Sequence, residues 1–234
     1  MDKKQSRDIL QSCENYVKTL CVNVAPDHGY EHAIFVANVA RLGLADFAEL
    51  GYLEALLVML AALMHDIDDP KIFSTSNYSN ATAFLDAQPM LTATDKQFVI
   101  RMISLVSYSQ NKNTTPAEYP KWAFIPRDAD RIAGGGQEGI DRTLAFNKVL
   151  ERPRPVVLPE DIQLFSNFPV DRKDVQSKYT TTITKQRSLF EFYITNWHDR
   201  GICASGSSAL QKIFDVEYSV LLDFWVAQIN AFPR

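Results

Sequence analysis

The sequence predicts an all-α fold. Three observations carry this: apolar residues recur at spacings of three and four along most of the chain, one segment is apolar on every side, and no convincing alternating strand pairs occur. At 234 residues, against about 150 per domain, a single core with a helical addition is expected. An apolar fraction of 46%, a charged fraction of 22%, 9 glycines and 11 prolines exclude wholesale disorder and collagen-like repeats. The balance of 24 basic against 28 acidic side chains leaves a formal charge of -4, so no global positive field exists to hold a nucleic-acid polymer.

Between Arg7 and Leu20, Ile9, Leu10, Cys13, Val17 and Leu20 form an amphipathic stripe, which predicts an N-terminal helix within residues 1–20 that packs on the core. Pro26 then punctuates the chain. Tyr30 to Leu50 is predicted as a second helix, with Phe35, Val36, Val39, Leu42, Gly43, Phe47 and Leu50 in helical period and Asp27 as an N-terminal cap. His32 shares a stripe with Val36, Val39 and Gly43, so it points inward. Glu54 to Ile67 is apolar all round and predicts a helix at the centre of the fold. Because Pro70 disfavours helical geometry at Asp69, that helix should stop at Ile67 or Asp68. Its purely apolar part runs only from Ala55 to Met64, about half of the roughly 20 residues that cross a bilayer, so no membrane span is expected.

Ser74 to Leu85 and Thr94 to Ser107 are predicted as further helices, the latter capped by Thr94 with Asp95 in its first turn. Gln110 to Pro126, with three prolines, predicts a long loop. A short helical turn over Arg127–Ile132 is interrupted by Gly134, Gly135 and Gly136 before Ile140–Leu150 resumes. Pro153 and Pro155 mark a rigid surface loop, and Asp174–His198 and Ala209–Phe232 complete the helices. Cys13, Cys21 and Cys203 are odd in number, lack C-x-x-C spacing and follow a start without an apolar leader. A reducing, cytoplasmic setting is therefore expected.

The chemistry concentrates on few residues. Of four histidines, His32 and the His65-Asp66 pair each sit at the inner edge of an apolar helix. A buried carboxylate costs several kcal/mol unless it is paired or metal-bound. Asp66 also falls at a helix C-terminus, where the macrodipole opposes an anion by about 0.3–1 kcal/mol, so a cation should sit beside it. The acidic cluster Asp128-Ala129-Asp130-Arg131 can bring one carboxylate, from Asp128 or Asp130, into the same interior site. Two imidazoles with two carboxylates suit a divalent ion such as Mn, Fe, Co, Ni, Zn or Mg with positions left for water, rather than a closed structural zinc site. Such a set can support hydrolysis of a phosphate ester or anhydride.

The order His32, His65-Asp66, Asp130 is similar to the H…HD…D signature of the HD-domain metal-dependent phosphohydrolases. The resemblance extends to His28-x-x-x-His32, to the run from His65 through Asp68-Asp69-Pro70-Lys71, to Ile103-Ser104-x-x-Ser107-Tyr108, and to Asp128 through Ile132 followed by Gly139-Ile140-x-Arg142. Together with a helix centred on Arg187, these look like the YedJ/YpgQ-type branch over about residues 20–200. The resemblance implies an HD domain over 21–200 with a C-terminal helical extension over 201–234. It further implies one divalent ion, Mn2+ first, held by His32, His65, Asp66 and Asp130, and action on nucleotides or related phosphorylated small molecules. A nucleoside triphosphate pyrophosphohydrolase is the finer expectation, and a metal- and nucleotide-binding protein without catalysis is the alternative. Asp69 is carried over as a proton-transfer group, Lys71 as a catalytic phosphate contact, and His28 and Arg142 as substrate contacts. The chain departs from the branch at Asp27-His28-Gly29-Tyr30-Glu31-His32, at Ala133 and at Ser109-Gln110-Asn111, where Lys112 could replace an expected basic residue.

Simpler readings stand beside these. His32 alone would be a core histidine, Asp69 a cap before Pro70, Lys71 and Arg142 solvated charges, and His198 a surface residue. Asp128 reads as an N-cap or a supporting group. Gly134-x-Gly136-x-x-Gly139 matches the dinucleotide fingerprint only formally, since no strand precedes it; a close backbone approach is the better expectation. A second metal lacks ligands, which disfavours a diiron oxygenase. The aromatics from Phe190 to Trp225 read as packing residues and would allow a homodimer through the C-terminal section.

Overall fold

The computed structural model describes residues 1–24, 28–70, 72–107, 111, 114–137, 139–141 and 203–230. Its helices are α1 (Lys3–Leu20), α2 (Tyr30–Leu44), α3 (Tyr52–Met64), α4 (Ser79–Asp86), α5 (Ala93–Val106), a 3-10 turn over Lys121–Phe124, α6 (Ile125–Ala133) and α7 (Ser208–Asn230). The fold is all-α as predicted, with no strand among the described residues. No helix among them is long and apolar enough to cross a membrane. The predicted cap Asp27, the contacts Lys71 and Arg142, and the helix Asp174–His198 lie outside the described residues.

Two compact units divide the chain, Met1–Ala133 with Cys203–Ile213, and Gly134–Ile202 with Phe214–Arg234. In the first, α3 is the axis. With Leu56 to Met64 all buried it has no face to offer water, and α1, α2, α5 and α6 pack round it. The buried residues of α2 are His32, Ala33, Val36, Ala37, Val39, Ala40 and Gly43, one helical stripe against α3 and α6. Phe35 and Leu42 fall outside that stripe and are exposed. Gly43 lets the chain come close: a Cβ there would lie 2.7 Å from Leu210 Cδ1.

Boundaries differ from the sequence expectation where partners distant in the chain intervene. α1 starts at Lys3, because Asp2 and Gln5 close a reciprocal capping box. α2 begins after Gly29, which stands at the cap position and makes no side-chain cap bond. It stops at Leu44 instead of Leu50, and Asp46, in the turns that follow, accepts from Ser207 Oγ at 2.7 Å and Ala209 N–H at 2.9 Å, capping α7. α3 ends at Met64 rather than Ile67 or Asp68, and the turns after it carry the Asp68 carboxylate to α4. Asp68 there accepts the Asn80 and Ala81 amides at 3.0 and 2.9 Å. α4 cannot start at Ser74, since Asn77 and Tyr78 adopt left-handed φ of 53° and 55°. Thr92, not Thr94, caps α5 in a box with Asp95. The predicted loop over 110–126 ends early: a 3-10 turn occupies Lys121–Phe124, and Pro126 lies in the first turn of α6, where its missing N–H costs nothing.

In the second unit, Gly136 has a positive φ of 58°, and a Cβ on Gly139 would lie 2.0 Å from the Gly134 carbonyl oxygen. Gly139 therefore serves close packing of backbone on backbone, while Gly136 supplies a left-handed turn against the Glu217 side chain.

Asp68 is buried and satisfies two amides at the start of α4. Asp68→Ala is expected to cost about 1–2 kcal/mol of stability, measured as a lower urea midpoint with the slope unchanged.

Candidate metal centre

Three separate stretches deliver the site. His32 projects from the buried stripe of α2, His65 and Asp66 follow the last turn of α3, and Asp130 lies on α6. His65 Nδ1 lies 2.8 Å from the Ala62 carbonyl, one of the acceptors left over at the end of α3. A carbonyl only accepts, so Nδ1 carries the hydrogen, and it is Nε2 that faces inward, to take either a second proton or a metal ion. Facing it at 3.2 Å is His32 Nε2, with the two rings inclined at 70°.

Asp130 Oδ1 lies 3.3 Å from His32 Nε2 and 3.5 Å from His65 Nε2. On the other side, Asp66 Oδ2 is 3.7 Å from His32 Nε2 and 3.3 Å from His65 Nε2. His32, His65 and Asp66 thus offer ligand atoms within 4.8 Å of one another, and Asp130 lies against the two imidazoles. Two donors about 2.1 Å from a common ion would lie about 3.0–3.4 Å apart for octahedral or tetrahedral angles. The His32–His65, His65–Asp66 and His32–Asp130 separations of 3.2, 3.3 and 3.3 Å fall in that range, and the His65–Asp130 and His32–Asp66 separations of 3.5 and 3.7 Å are longer. The donor set, two imidazole nitrogens and two carboxylate oxygens, fits a divalent ion of intermediate hardness.

Electrostatics point the same way. Burial alone would favour neutral His65, but Asp66 and Asp130 beside Nε2 outweigh it and hold its pKa well above the ordinary histidine value. Burial would likewise raise Asp66, yet His65, His28 and His32 keep its carboxyl well below the usual range. Hydrogen bonds to His32 and His65 outweigh burial at Asp130 in the same direction. The site attracts positive charge, as protons or as a metal ion.

Asp128 stands apart from this cluster. It is buried and accepts from the Ala204 and Ser205 amides at 3.1 and 2.8 Å, so it anchors the segment before α7 and does not cap its own helix. Burial raises its pKa, with the Ser205 bonds and Arg127 partly offsetting the rise. His28, expected as a substrate contact, has its Nδ1 3.2 Å from Asp66 Oδ2. Asp69 is half-buried one turn beyond Asp66, and its N–H donates to the Asp66 carbonyl at 3.0 Å. The sequence reading missed the capping roles of Asp46 and Asp68. It also missed Arg127, which is buried, donates from Nη1 to the Thr114 carbonyl at 2.7 Å and stacks on Phe124. An acid just before or after a helix end was the available signal for the first two; nothing local marks Arg127.

No family model matches the chain. A curated relative, the uncharacterized protein L803 of Acanthamoeba polyphaga mimivirus, is 36% identical over 143 residues, which is 56% of this chain and 57% of that protein. The match thus spans little more than half of the relative's length. Among solved structures, a Lactobacillus plantarum protein is 18% identical with a TM-score of 0.66, covering 97% of this chain and 96% of that one. Lin1889 from Listeria innocua, 16% identical, gives 0.59 with both chains fully covered, at 100% each. Bacillus subtilis YpgQ, solved in complex with ADP, is 14% identical with a TM-score of 0.58, covering 98% of this chain and 97% of its own. The chain has a YpgQ-like fold.

The pKa directions set a pH window. His65, raised above its unfolded value of about 6.5, adds stability that is complete below that pH and is lost as pH rises through the folded value. Asp66 and Asp130, depressed from about 3.9, add stability that is present above that pH and lost as pH falls through their folded values. Chelator-treated protein should therefore lose stability as pH rises above about 6.5 toward the raised folded value of His65. The increase in Tm on adding Mn2+ should grow over the same interval, because the ion replaces a proton. Scanning calorimetry with and without Mn2+ measures both.

Proposed function

We propose that the chain is an HD-type metal-dependent phosphohydrolase acting on nucleotides or related phosphorylated small molecules, with nucleoside triphosphate pyrophosphohydrolysis as the finer reading. The observation that carries it is the convergence of His32, His65, Asp66 and Asp130, with both Nε2 atoms 3.2 Å apart and flanked by carboxylate oxygens. The YpgQ-like fold supports the assignment, and the ADP bound by YpgQ supports nucleotides as the class to test first.

In this reading the four residues hold one divalent ion, Mn2+ in first place and Mg2+, Fe2+, Co2+, Ni2+ or Zn2+ as alternatives. Such an ion supplies Lewis-acid polarisation of a phosphoryl oxygen and acidifies water. The chain does the rest. Apolar walls from α2, α3 and α6 keep bulk water from the inner side of the site and strengthen every charge interaction there. Asp69, one turn beyond Asp66 and half-buried, accepts the proton of the attacking water. Lys71, two positions further along, and Arg142 are assigned to the substrate phosphates.

His65→Ala or Asp66→Ala should abolish metal content and activity together, checked by elemental analysis alongside phosphate or pyrophosphate release from a nucleotide panel with Mn2+. Multiple equivalents of product per protein are expected; metal and nucleotide binding without turnover would instead make the chain a non-catalytic binder. Asp69→Asn should retain the ion and lower kcat by about 10²–10⁴.

A further inference from the structure

Each ligand of the centre needs something to hold it. His32 is buried in the middle of a helical stripe, His65 is pinned through Nδ1 to the Ala62 carbonyl, and Asp130 stands on a helix whose neighbouring residues are buried. Asp66 differs: it follows the end of α3 in a turn, its side chain is 20% exposed, and a carboxylate torsion is broad when nothing restrains it. Three imidazoles, those of His28, His32 and His65, face that carboxylate.

The His28 contact falls on Oδ2, the same oxygen that faces both His65 Nε2 and His32 Nε2, at 3.2 Å from Nδ1. An ionised carboxylate only accepts, so Nδ1 carries the hydrogen that closes this bond. One oxygen can receive that hydrogen and still offer a lone pair to an ion. The His28 ring stands perpendicular to His32 with centroids 6.2 Å apart, and its side chain is more exposed than those of His32 and His65. A nitrogen engaged with Asp66 is not directed at a substrate phosphate.

We infer that His28 is a positioning residue, which orients Asp66 for metal binding through the Nδ1–H···Oδ2 bond. This rests on the metal reading above and replaces the substrate contact expected for His28 with a role inside the centre. Partners of metal ligands of this kind typically change metal affinity 10- to 100-fold when removed.

The test titrates Mn2+ by electron paramagnetic resonance into full-length protein and into His28→Ala, His28→Asn and His28→Gln, with circular dichroism reporting folding. The amide nitrogen of Asn occupies the place of Nδ1, whereas that of Gln reaches further, to the place of Nε2. His28→Ala should weaken Mn2+ binding about 10- to 100-fold, and His28→Asn should restore it to within about threefold while His28→Gln does not. KM for the nucleotide at saturating Mn2+ should stay unchanged. Unaltered Mn2+ affinity in His28→Ala, or a raised KM as the sole effect, would overturn the inference and return His28 to the substrate. Failure of His28→Asn to rescue a folded protein would overturn it too. Absence of Mn2+ binding in the unsubstituted protein, or full binding by His65→Ala, would instead defeat the metal reading on which it rests.

Discussion

Two imidazole nitrogens held 3.2 Å apart, with carboxylate oxygens 3.3–3.7 Å away on either side, are stable only if positive charge lies among them. One nitrogen, His65 Nε2, faces inward because its partner nitrogen is committed to Ala62. The surroundings make matters worse for an unpaired anion, since Asp66 sits beyond the C-terminus of an apolar helix where the macrodipole is negative. Water cannot relieve this from within, because α3 is buried throughout its last turns. Helices α2, α3 and α6 pack closely enough to bring these side chains together, and small buried residues such as Ala33, Ala37 and Ala40 on α2 allow the approach.

The acids of the chain divide by what meets them. Asp46, Asp68 and Asp128 each face backbone amides, at Ala209, at Asn80 and Ala81, and at Ala204 and Ser205 respectively. Two of them cap the start of a helix further along the chain, and the third ties down the segment leading into α7. Asp66 and Asp130 face imidazoles. Amide donors are fixed dipoles that offset the charge of a carboxylate where it stands, so an acid capping a helix is stabilised without a cation. An acid surrounded by imidazoles keeps its negative charge available. Burial alone does not separate these cases, since Asp68 and Asp128 are more deeply buried than Asp130.

How much of this was legible in the sequence depended on the range of the forces involved. The stripe through His32, Val36, Val39 and Gly43 and the apolar run from Ala55 to Met64 are local patterns, and both helices lie where the pattern puts them. Helix ends were read less well. Asp46 and Asp68 look like neighbours of the preceding helix, yet they cap helices that start much later, and the left-handed Asn77 and Tyr78 carry no glycine to announce the break before α4. In the site, His32, His65 and Asp66 could be singled out because polar groups at the inner edge of apolar helices need a reason. Asp128 and Asp130 could not be separated by such reasoning, as they lie two apart in one acidic cluster. Only packing shows that Asp128 meets amides and Asp130 meets histidines. His28 drew notice for its spacing from His32, whereas its contact is with Asp66 across 38 positions of sequence, which no periodicity encodes.

Sharing a fold at 14–18% identity says how helices are arranged and nothing about what is bound, so the chemistry has to be argued from the cluster itself. Its ligands come from widely separated stretches. In the unfolded chain only His65 and Asp66 are adjacent, and two neighbouring donors bind a divalent ion far more weakly than four that are preassembled. Any ion taken up by the folded protein therefore favours the packed arrangement of α2, α3 and α6 by mass action, while protons, which each imidazole can take singly, do so less. The two carboxylates, a liability beside apolar helices without a counter-ion, would with a divalent ion and the two imidazoles form a tertiary cross-link. That is a physical reason for a helical bundle to keep two carboxylates and two histidines at its centre.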